Sequence, residues 1–222
     1  MIITTKQIKY QTLQAQAYDY IYNKIVSGEI PPGQKVVEQK IVTETGISRS
    51  PIREAIRQLT SEGLVTVHPH GGVRVYRATS SDYKYLFECR LSLEPTAAYY
   101  AAIRINTSQR FELDQLMKEM NQAAKMKDIH SLKLLSNRFH NMILETSGNP
   151  YLVKMMKQLY SLITFYRNVI LNMPQRIEMG VVEHQEIWKA IRDRDGKTAE
   201  KLMKEHLKSD YNHYISEYQS SD

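Results

Sequence analysis

The first third of the chain alternates apolar stripes with glycine and proline breaks. Apolar residues recur at helical spacing from Leu13 to Ile25, and Gly28 and the turn at Pro31-Pro32-Gly33 end that pattern. A second, short helix is marked by four apolar residues, Val36, Val37, Ile41 and Val42. Gly46 ends this helix, a few residues before a third helix begins. Two helices joined by a short glycine-containing turn predict a helix-turn-helix.

The third helix has two contrasting faces. Small polar residues and Pro51 stand at its start, where a helix has amide groups to cap. One face carries three arginines four residues apart, Arg49, Arg53 and Arg57. The opposite face is apolar and carries Ile52, Ile56 and Leu59. The pattern predicts a helix that is buried on one side and positively charged on the other.

Two β-branched segments follow this helix. Residues 64–68 and 73–76 flank the turn Pro69-His70-Gly71-Gly72, which is typical of a β-hairpin. A hairpin directly after the third helix predicts the wing of a winged helix-turn-helix. Residues 1–78 are therefore expected to form one domain.

The remaining chain, residues 79–222, shows almost no strand pattern and a succession of amphipathic helical segments. The predicted helices span about 80–105, 108–126, 129–146, 150–173, 179–194 and 197–218. The fold class is therefore mainly α, with an N-terminal winged helix-turn-helix and a C-terminal all-α bundle of about six helices.

Charge and composition narrow the function. The net charge is +6, and residues 1–78 carry 10 Lys and Arg against 6 Asp and Glu, a local excess of +4. The single cysteine excludes an intrachain disulfide, and the longest apolar run, Ala97 to Ile103, is too short to cross a bilayer. With no signal-peptide pattern at the N-terminus, we expect a cytoplasmic protein that is not bound to a membrane.

The basic helix face predicts DNA binding. A helix placed in the major groove reads base edges with its N-terminal side chains, while hydroxyls such as those of Ser48 and Ser50 reach phosphates. The competing interpretation is an ordinary solvated charged face. The basic excess in the same domain and the predicted wing favour the DNA-binding interpretation.

Residues 1–78 resemble the DNA-binding domain of the GntR family of bacterial transcriptional regulators. The resemblance lies in the segments Gly46 to Ile56 and Glu62 to Val65, together with Pro32-Gly33, Glu38 and Gly72. It implies DNA contacts from seven residues: Ser48, Arg49, Ser50, Arg53, His70, Gly71 and Gly72. It also implies a homodimer on a double-stranded, palindromic operator. At Gln39, some relatives place a contacting arginine.

Three histidines stand on three different predicted helices of the C-terminal part: His140, His184 and His206. Their imidazoles could converge on one metal, although a lone helical histidine is more often a surface or satisfied core residue. Tyr99 and Tyr166 are candidate hydroxyls of a binding pocket, although tyrosines at helical spacing more often pack half-buried.

The segment from Ser81 to His213 is similar to the FCD effector-binding domain of FadR-type GntR regulators. The resemblance rests on Glu88 to Ala98, Phe139-His140 and Ser147 to Pro150, and on the two later histidines. It implies a divalent metal such as zinc, nickel or iron on the three histidines. The aspartate usual four residues before the first histidine is replaced by Ser136, with Asn137 beside it. The resemblance also implies that Arg90 clamps the carboxylate of a small organic acid, although Arg90 and Glu94 could equally form a surface pair.

Together these features predict a ligand-responsive transcriptional regulator, with repression as the default by analogy with the family. One alternative is a metal sensor, in which the ion is the signal. Another is a three-histidine metallohydrolase, but no general base is placed for that chemistry. We therefore expect that the protein is not an enzyme.

Overall fold

A computed structural model of the chain describes residues 11–68, 71–77, 79–171, 173 and 176–218. Within these residues there are nine helices and three short strands, and the chain divides into two compact units after Arg77. The predicted fold class, mainly helical with a small winged helix-turn-helix, is confirmed. In the described part of the chain, no helix has the length and apolar character needed to cross a membrane.

The N-terminal unit consists of three helices and a small sheet. Its elements are α1 (Leu13–Val26), β1 (Lys35–Val36), α2 (Glu38–Thr45), α3 (Arg49–Ser61), β2 (Val65–Val67) and β3 (Val73–Val75). Helix α1 packs against α3. The buried residues of α3 are Ile52, Ala55, Ile56 and Leu59, which is the predicted apolar face. Burying this face fixes the direction in which the arginines of α3 point.

The sheet has one strand more than the predicted hairpin. Its order is β1-β3-β2, with every pair antiparallel, and Val36 lies opposite Val73. The prediction that Val36 and Val37 belong to the second helix was wrong, because Val36 is in β1 and Val37 is the N-cap of α2. Lys35 and Val36 complete the sheet edge along β3, which is a pairing between distant segments.

The turn between α2 and α3 depends on Gly46. Its φ of 71° is in the left-handed region, and its amide donates to the carbonyl of Val42. A glycine adopts this conformation without a Cβ clash, so α2 can end and the chain can turn directly into α3.

The C-terminal unit is entirely helical in the described residues. Its helices are α4 (Ser80–Arg104), α5 (Thr107–Lys125), α6 (Ile129–Thr146), α7 (Pro150–Ile170), α8 (Arg176–Arg192) and α9 (Gly196–Tyr218). The predicted boundaries hold to within three residues. Thr79 caps α4 through a reciprocal capping box with Asp82, and Asn149 followed by Pro150 begins α7.

Helix α4 lies at the centre of this unit and contacts α6, α7, α8 and α9. Its buried residues include four small ones, Ala97, Ala98, Ala101 and Ala102. Small side chains let neighbouring helices approach closely. Seven and three residues before this alanine segment, the longer side chains of Arg90 and Glu94 occupy the interior.

Candidate nucleic-acid interface and candidate metal centre

The start of α3 presents a polar, positively charged surface. Ser48, Arg49, Ser50 and Arg53 are all exposed, as the sequence predicted. Ser48 is the N-cap residue of α3, but its side chain makes no capping hydrogen bond. The first-turn amides and the exposed hydroxyls of this end suit contact with phosphate oxygens.

Helix α2 supplies polar partners for two of these arginines. The Arg49 Nη2 donates to the Gln39 Oε1 at 2.6 Å, and the Arg53 Nε donates to the Glu38 Oε2 at 2.9 Å. Gln39 therefore contacts the arginine at the head of α3. Because Glu38 and Gln39 belong to α2, the helix-turn-helix itself orients the guanidinium groups on one surface.

The wing turn contains two glycines in the left-handed region. Gly71 and Gly72 both have a φ of 88°. The His68 amide donates to the Gly72 carbonyl at 3.0 Å, and the Gly71 amide donates to the His68 carbonyl at 2.9 Å. These bonds close the turn and leave the glycines exposed. His70 lies outside the described residues, and DNA contact by His70, Gly71 and Gly72 stays a prediction.

The second candidate site lies inside the helical bundle. His140 on α6, His184 on α8 and His206 on α9 are all buried, and their candidate ligand atoms lie within 4.8 Å of one another. The structure therefore brings together the three histidines that the sequence singled out. The histidines are separated by 44 and 22 residues along the chain, but they form a single cluster because α6, α8 and α9 pack around α4.

Carboxylates orient two of the rings. The Nδ1 of His140 lies 2.7 Å from the Glu94 Oε2, and the Nδ1 of His206 lies 2.6 Å from the Glu183 Oε2. A carboxylate at Nδ1 holds the ring proton there and leaves the Nε2 lone pair for another partner, as in carboxylate–histidine–metal arrangements. The Nε2 atoms of His140 and His184 are 3.2 Å apart. Two nitrogens bound to one zinc at about 2.0–2.1 Å would lie about 3.0–3.4 Å apart.

Burial keeps His140 and His184 neutral. It lowers the pKa of His140 to about 3, with Arg167 adding to the effect, and it lowers the pKa of His184 well below its usual range. Burial alone would raise the pKa of the Glu94 carboxyl, but Arg90 and then His140 reverse this and hold the pKa well below its usual value. Neutral imidazoles backed by ionised carboxylates are the form in which histidine binds metals.

The histidines lie within a buried network of equal and opposite charges. Its arginines are Arg90, Arg167 and Arg176, and its carboxylates are Glu94 and Asp210, which are buried, and Glu183, which is half-buried. The Arg90 Nε donates to the Glu94 Oε1 at 2.6 Å, so this pair is a buried ion pair and not a surface pair. The network holds three positive and three negative side chains, so it is electrically balanced when the histidines are neutral.

A small cavity of about 10 Å³ opens among these side chains, which is room for about one water-sized particle. Its polar lining consists of Ser136, Arg167, Arg176, His184, His206 and Asp210. Ser136 is therefore the polar residue that α6 contributes to the cavity lining, one turn after the apolar Leu132. Asn137 is also buried, but its Oδ1 accepts from the Arg167 Nη1 at 2.7 Å.

Several buried polar atoms around this cavity have no hydrogen-bond partner in the described part of the chain. They include the His206 Nε2, the His184 Nδ1, the Arg167 Nε, the Arg176 Nη1 and the Arg90 Nη2. Orphaned imidazole nitrogens suit a cation, and orphaned guanidinium N–H groups suit an anion. The residues present therefore fit both a divalent metal and an anionic ligand.

The other predicted effector residues lie apart from the cavity lining. The Tyr99 ring packs against Gly196. A Cβ atom at position 196 would lie only 2.8 Å from the Cδ2 atom of this ring. Tyr166 is buried, and its hydroxyl donates to the Thr79 carbonyl at 3.5 Å, with its ring against Tyr83 and Tyr214. Effector contact by either tyrosine stays a prediction.

Sequence reasoning assigned no role in the site to Arg167, Arg176 or Asp210. Asp210 follows His206 by one helical turn, a spacing that places both on one face of a helix and could have indicated it. No local pattern indicates Arg167, whose partners Asn137 and Glu94 lie on other helices. Arg176 has one partner on its own helix, Glu183, and another, Asp210, on α9.

The sequence and the fold both match known proteins. The family "Bacterial regulatory proteins, gntR family" matches residues 13–75, and the FCD domain family matches residues 85–209. The uncharacterized HTH-type transcriptional regulator YdhC of Bacillus subtilis is 27% identical, with 89% of this chain and 87% of that protein covered. The HTH-type transcriptional repressor RspR of Escherichia coli is 25% identical, with 93% and 91% covered.

The structure of E. coli McbR/YncC has the same fold, with a TM-score of 0.82 at 19% identity over 94% of this chain and 100% of that one. The relatives described here are regulators of transcription and not enzymes. The GntR family matches the helix-turn-helix, and the FCD family that follows it matches more than half of the chain. The chain therefore belongs to the GntR family of bacterial transcriptional regulators.

Proposed function

We propose that this protein is a homodimeric repressor whose operator affinity is controlled by a small organic acid bound at the cavity of the FCD domain, on a divalent metal. The observation that carries the proposal is the cluster of three buried histidines, two of which, His184 and His206, line one cavity together with Arg167 and Arg176. The relatives RspR and GlaR of E. coli are named as repressors, which supports the sign of the regulation.

The metal is assigned to His140, His184 and His206. Zinc, nickel and ferrous iron all accept imidazole nitrogen, so the ligand set favours this group of ions over calcium or magnesium. When bound, such an ion supplies a Lewis-acidic anchor for a carboxylate oxygen. Glu94 and Glu183 orient two of the histidines through their Nδ1 atoms.

The charge balance favours an anionic effector. The surrounding arginines and carboxylates cancel, so a divalent ion would leave the buried network with an excess of about two positive charges. An organic acid neutralises this excess, and the Arg167 and Arg176 N–H groups without partners can donate to it. Arg90 is also assigned to this role through its Nη2.

The size of the cavity couples effector binding to a structural change. A space that admits one water-sized particle is too small for an organic acid of several atoms, so the acid must displace side chains or helices of the bundle. Binding then favours a second arrangement of this unit, which is what control of a distant DNA site requires.

The DNA-binding role is assigned to Ser48, Arg49, Ser50 and Arg53, with the wing glycines beside them. Two copies of α3 in a homodimer would read a palindromic operator, one half-site each. Since bacterial DNA lies in the cytoplasm, we place the protein there.

The test combines metal analysis with operator binding. Protein purified without chelator or a histidine tag is expected to contain about one metal per chain, and His184→Ala is expected to contain none. The control variant His130→Ala removes an exposed histidine of α6 outside the cluster and should keep the metal. Retention of metal by His184→Ala would contradict the assignment of the site.

Operator affinity is then measured by fluorescence anisotropy, with metal-loaded protein and a panel of small mono- and dicarboxylic acids. We expect an acid from the panel to weaken operator binding while the metal stays bound. If operator affinity instead changes with metal loading alone, and no acid alters it, the protein is a metal sensor and the effector proposal is wrong.

A further inference from the structure

The outer face of the small sheet carries positive charges to which the function proposed above assigns no role. The antiparallel register of β1 and β3 places Lys35 directly opposite Arg74. Residues that lie opposite each other in a sheet point to the same face, and their neighbours along each strand point to the other face. Val36 and Val75, the residues that follow this pair, are buried. Lys35 and Arg74 therefore belong to the face that is turned away from the core.

Arg77 adds a third cation to this face. The Arg74 Nη1 donates to the Gly33 carbonyl at 3.1 Å. A Cβ on Gly33 would lie 3.7 Å from the Arg77 Nε, so two guanidinium groups meet at this glycine, two residues before Lys35. We call Lys35, Arg74 and Arg77 the sheet cations.

None of the sheet cations forms an ion pair with a carboxylate in the part of the chain that the structure describes. The six carboxylates of the N-terminal unit all have partners outside the sheet, which are Gln11 for Asp19, Lys24 for Glu29 and Glu44, Arg53 for Glu38, Arg57 for Glu54, and Tyr18 and Gln58 for Glu62. Like charges that face each other across a sheet repel. A bound anion would remove this repulsion.

The sheet cations lie next to the surface already assigned to DNA. A Cβ on Gly72 would lie 3.4 Å from the Lys35 Nζ, so the ammonium group is beside the wing turn. Lys35 also comes shortly before α2, in which Gln39 accepts the hydrogen bond of Arg49. The positive surface is therefore continuous with both the wing turn and the helix-turn-helix.

We propose that the sheet cations bind phosphates of the DNA backbone, so that the DNA interface extends from α3 and the wing turn across the outer face of the sheet. Each strand of duplex DNA carries a phosphate about every 3.4 Å along the axis, so further phosphates flank any groove that α3 and the wing occupy. Such contacts carry no sequence information and strengthen binding to any duplex. This inference rests on the DNA-binding role of the proposed function.

The test is the salt dependence of DNA binding by the full-length protein, measured by fluorescence anisotropy on operator DNA and on a scrambled duplex of the same length. The variants are Lys35→Gln and the double variant Lys35→Gln/Arg77→Gln. Arg74 is left intact because its bond to the Gly33 carbonyl supports the sheet.

Each lost phosphate contact is expected to reduce the slope of log affinity against log salt concentration by about 0.9, so the double variant should lose about 1.8. The same relation gives Lys35→Gln an affinity loss of about 8-fold at about 0.1 M salt and almost none near 1 M. The loss should be equal on the operator and on the scrambled duplex. Arg49→Ala, in contrast, should weaken operator binding more than binding to the scrambled duplex.

Two control variants separate a local contact from the effect of net charge. Lys201→Gln removes an exposed lysine of α9, whose Nζ lies 3.8 Å from the Glu205 Oε1, and should leave the slope unchanged. Lys35→Arg keeps the charge on β1 and should keep the slope of the wild type. Circular dichroism checks that each variant is folded.

Three results would overturn the inference. One is a double variant with the slope of the wild type. Another is a loss that Lys201→Gln reproduces, which would be an effect of net charge. The third is a loss confined to the operator, which would mean that Lys35 and Arg77 act on base recognition and not on phosphate.

Failure of the proposed function looks different. If the wild type binds no duplex, the DNA-binding role is wrong, and this inference falls with it. If the wild type binds its operator, Arg49→Ala loses that preference, and the slope does not depend on Lys35 and Arg77, the role of α3 stands and only the sheet cations are wrongly assigned.

Discussion

The two units use the same ion pair, an arginine with a glutamate, in opposite surroundings. In the N-terminal unit the Arg53 Nε lies 2.9 Å from the Glu38 Oε2, and the two side chains are 57% and 36% exposed. In the C-terminal unit the Arg90 Nε lies 2.6 Å from the Glu94 Oε1, and the side chains are 1% and 5% exposed. The bonds are similar in length, but water reaches only the first pair.

This difference decides what each arginine can do. An exposed pair contributes about 0–1 kcal/mol, so Arg53 can exchange its carboxylate for a phosphate or a base at little cost. A buried pair cannot be separated cheaply, because each charge has lost its hydration. The first arrangement suits a surface that binds and releases DNA, and the second suits a fixed frame around a ligand cavity.

Glu94→Gln is expected to have the largest effect. It leaves Arg90 without its nearest counter-charge and replaces one carboxylate oxygen, facing either Arg90 or His140, with an amide N–H group, so the free energy of unfolding of the C-terminal unit should fall by about 3–5 kcal/mol. Trp188, the single tryptophan, lies in this unit and reports its unfolding by fluorescence in urea.

The matched control is Glu38→Gln, which removes the same charge from the exposed pair. The free energy of unfolding of the N-terminal unit, followed by circular dichroism, should change by less than about 1 kcal/mol. Equal losses from the two variants would show that burial does not distinguish the pairs.

Arg49→Ala is expected to have an intermediate effect. Arg49 heads α3 and is exposed, with Gln39 as its partner, so its removal should cost about 1–3 kcal/mol of operator binding and leave the C-terminal unit folded. Fluorescence anisotropy with operator DNA measures the loss. The control Arg138→Ala removes an exposed arginine of the C-terminal unit that pairs with Glu119 and should leave operator affinity unchanged.

Glu38→Gln should also have a small effect on DNA binding. It releases Arg53 from its carboxylate and removes a negative charge from the interface, so operator affinity should rise by less than about 1 kcal/mol. The gain should shrink as salt is added, because exposed charges are screened. Weaker binding at low salt would instead mean that Glu38 holds Arg53 in its binding orientation.

The features that depend on regular residue spacing or on local caps were predictable from the sequence. The spacing of Ile52, Ile56 and Leu59 gave α3 its buried face, and the arginines four residues apart lie on the other face. Caps such as that of α7, at Asn149 and Pro150, are local signals and were equally visible. Such features depend only on neighbours within a few residues.

Pairings between distant segments were not predictable. Strand β1 has two residues and exists because β3 lies beside it, so no periodicity could reveal it. The contact of Glu94 with His140 joins positions 46 apart, and that of Arg176 with Asp210 joins positions 34 apart. The three histidines were found from their residue type, but their charged surroundings depend on how the helices pack.

The histidine site is assembled from helices that are far apart in the chain, so it exists only when the C-terminal unit is folded. Any ion or acid that binds there, and not to the unfolded chain, raises the apparent stability by RT ln(1 + [L]/Kd). A ligand at 100 times its Kd would add about 2.7 kcal/mol. The melting temperature of this unit therefore reports how fully the site is occupied. In a cell that contains the ligand, the regulator is unfolded less often and is degraded more slowly.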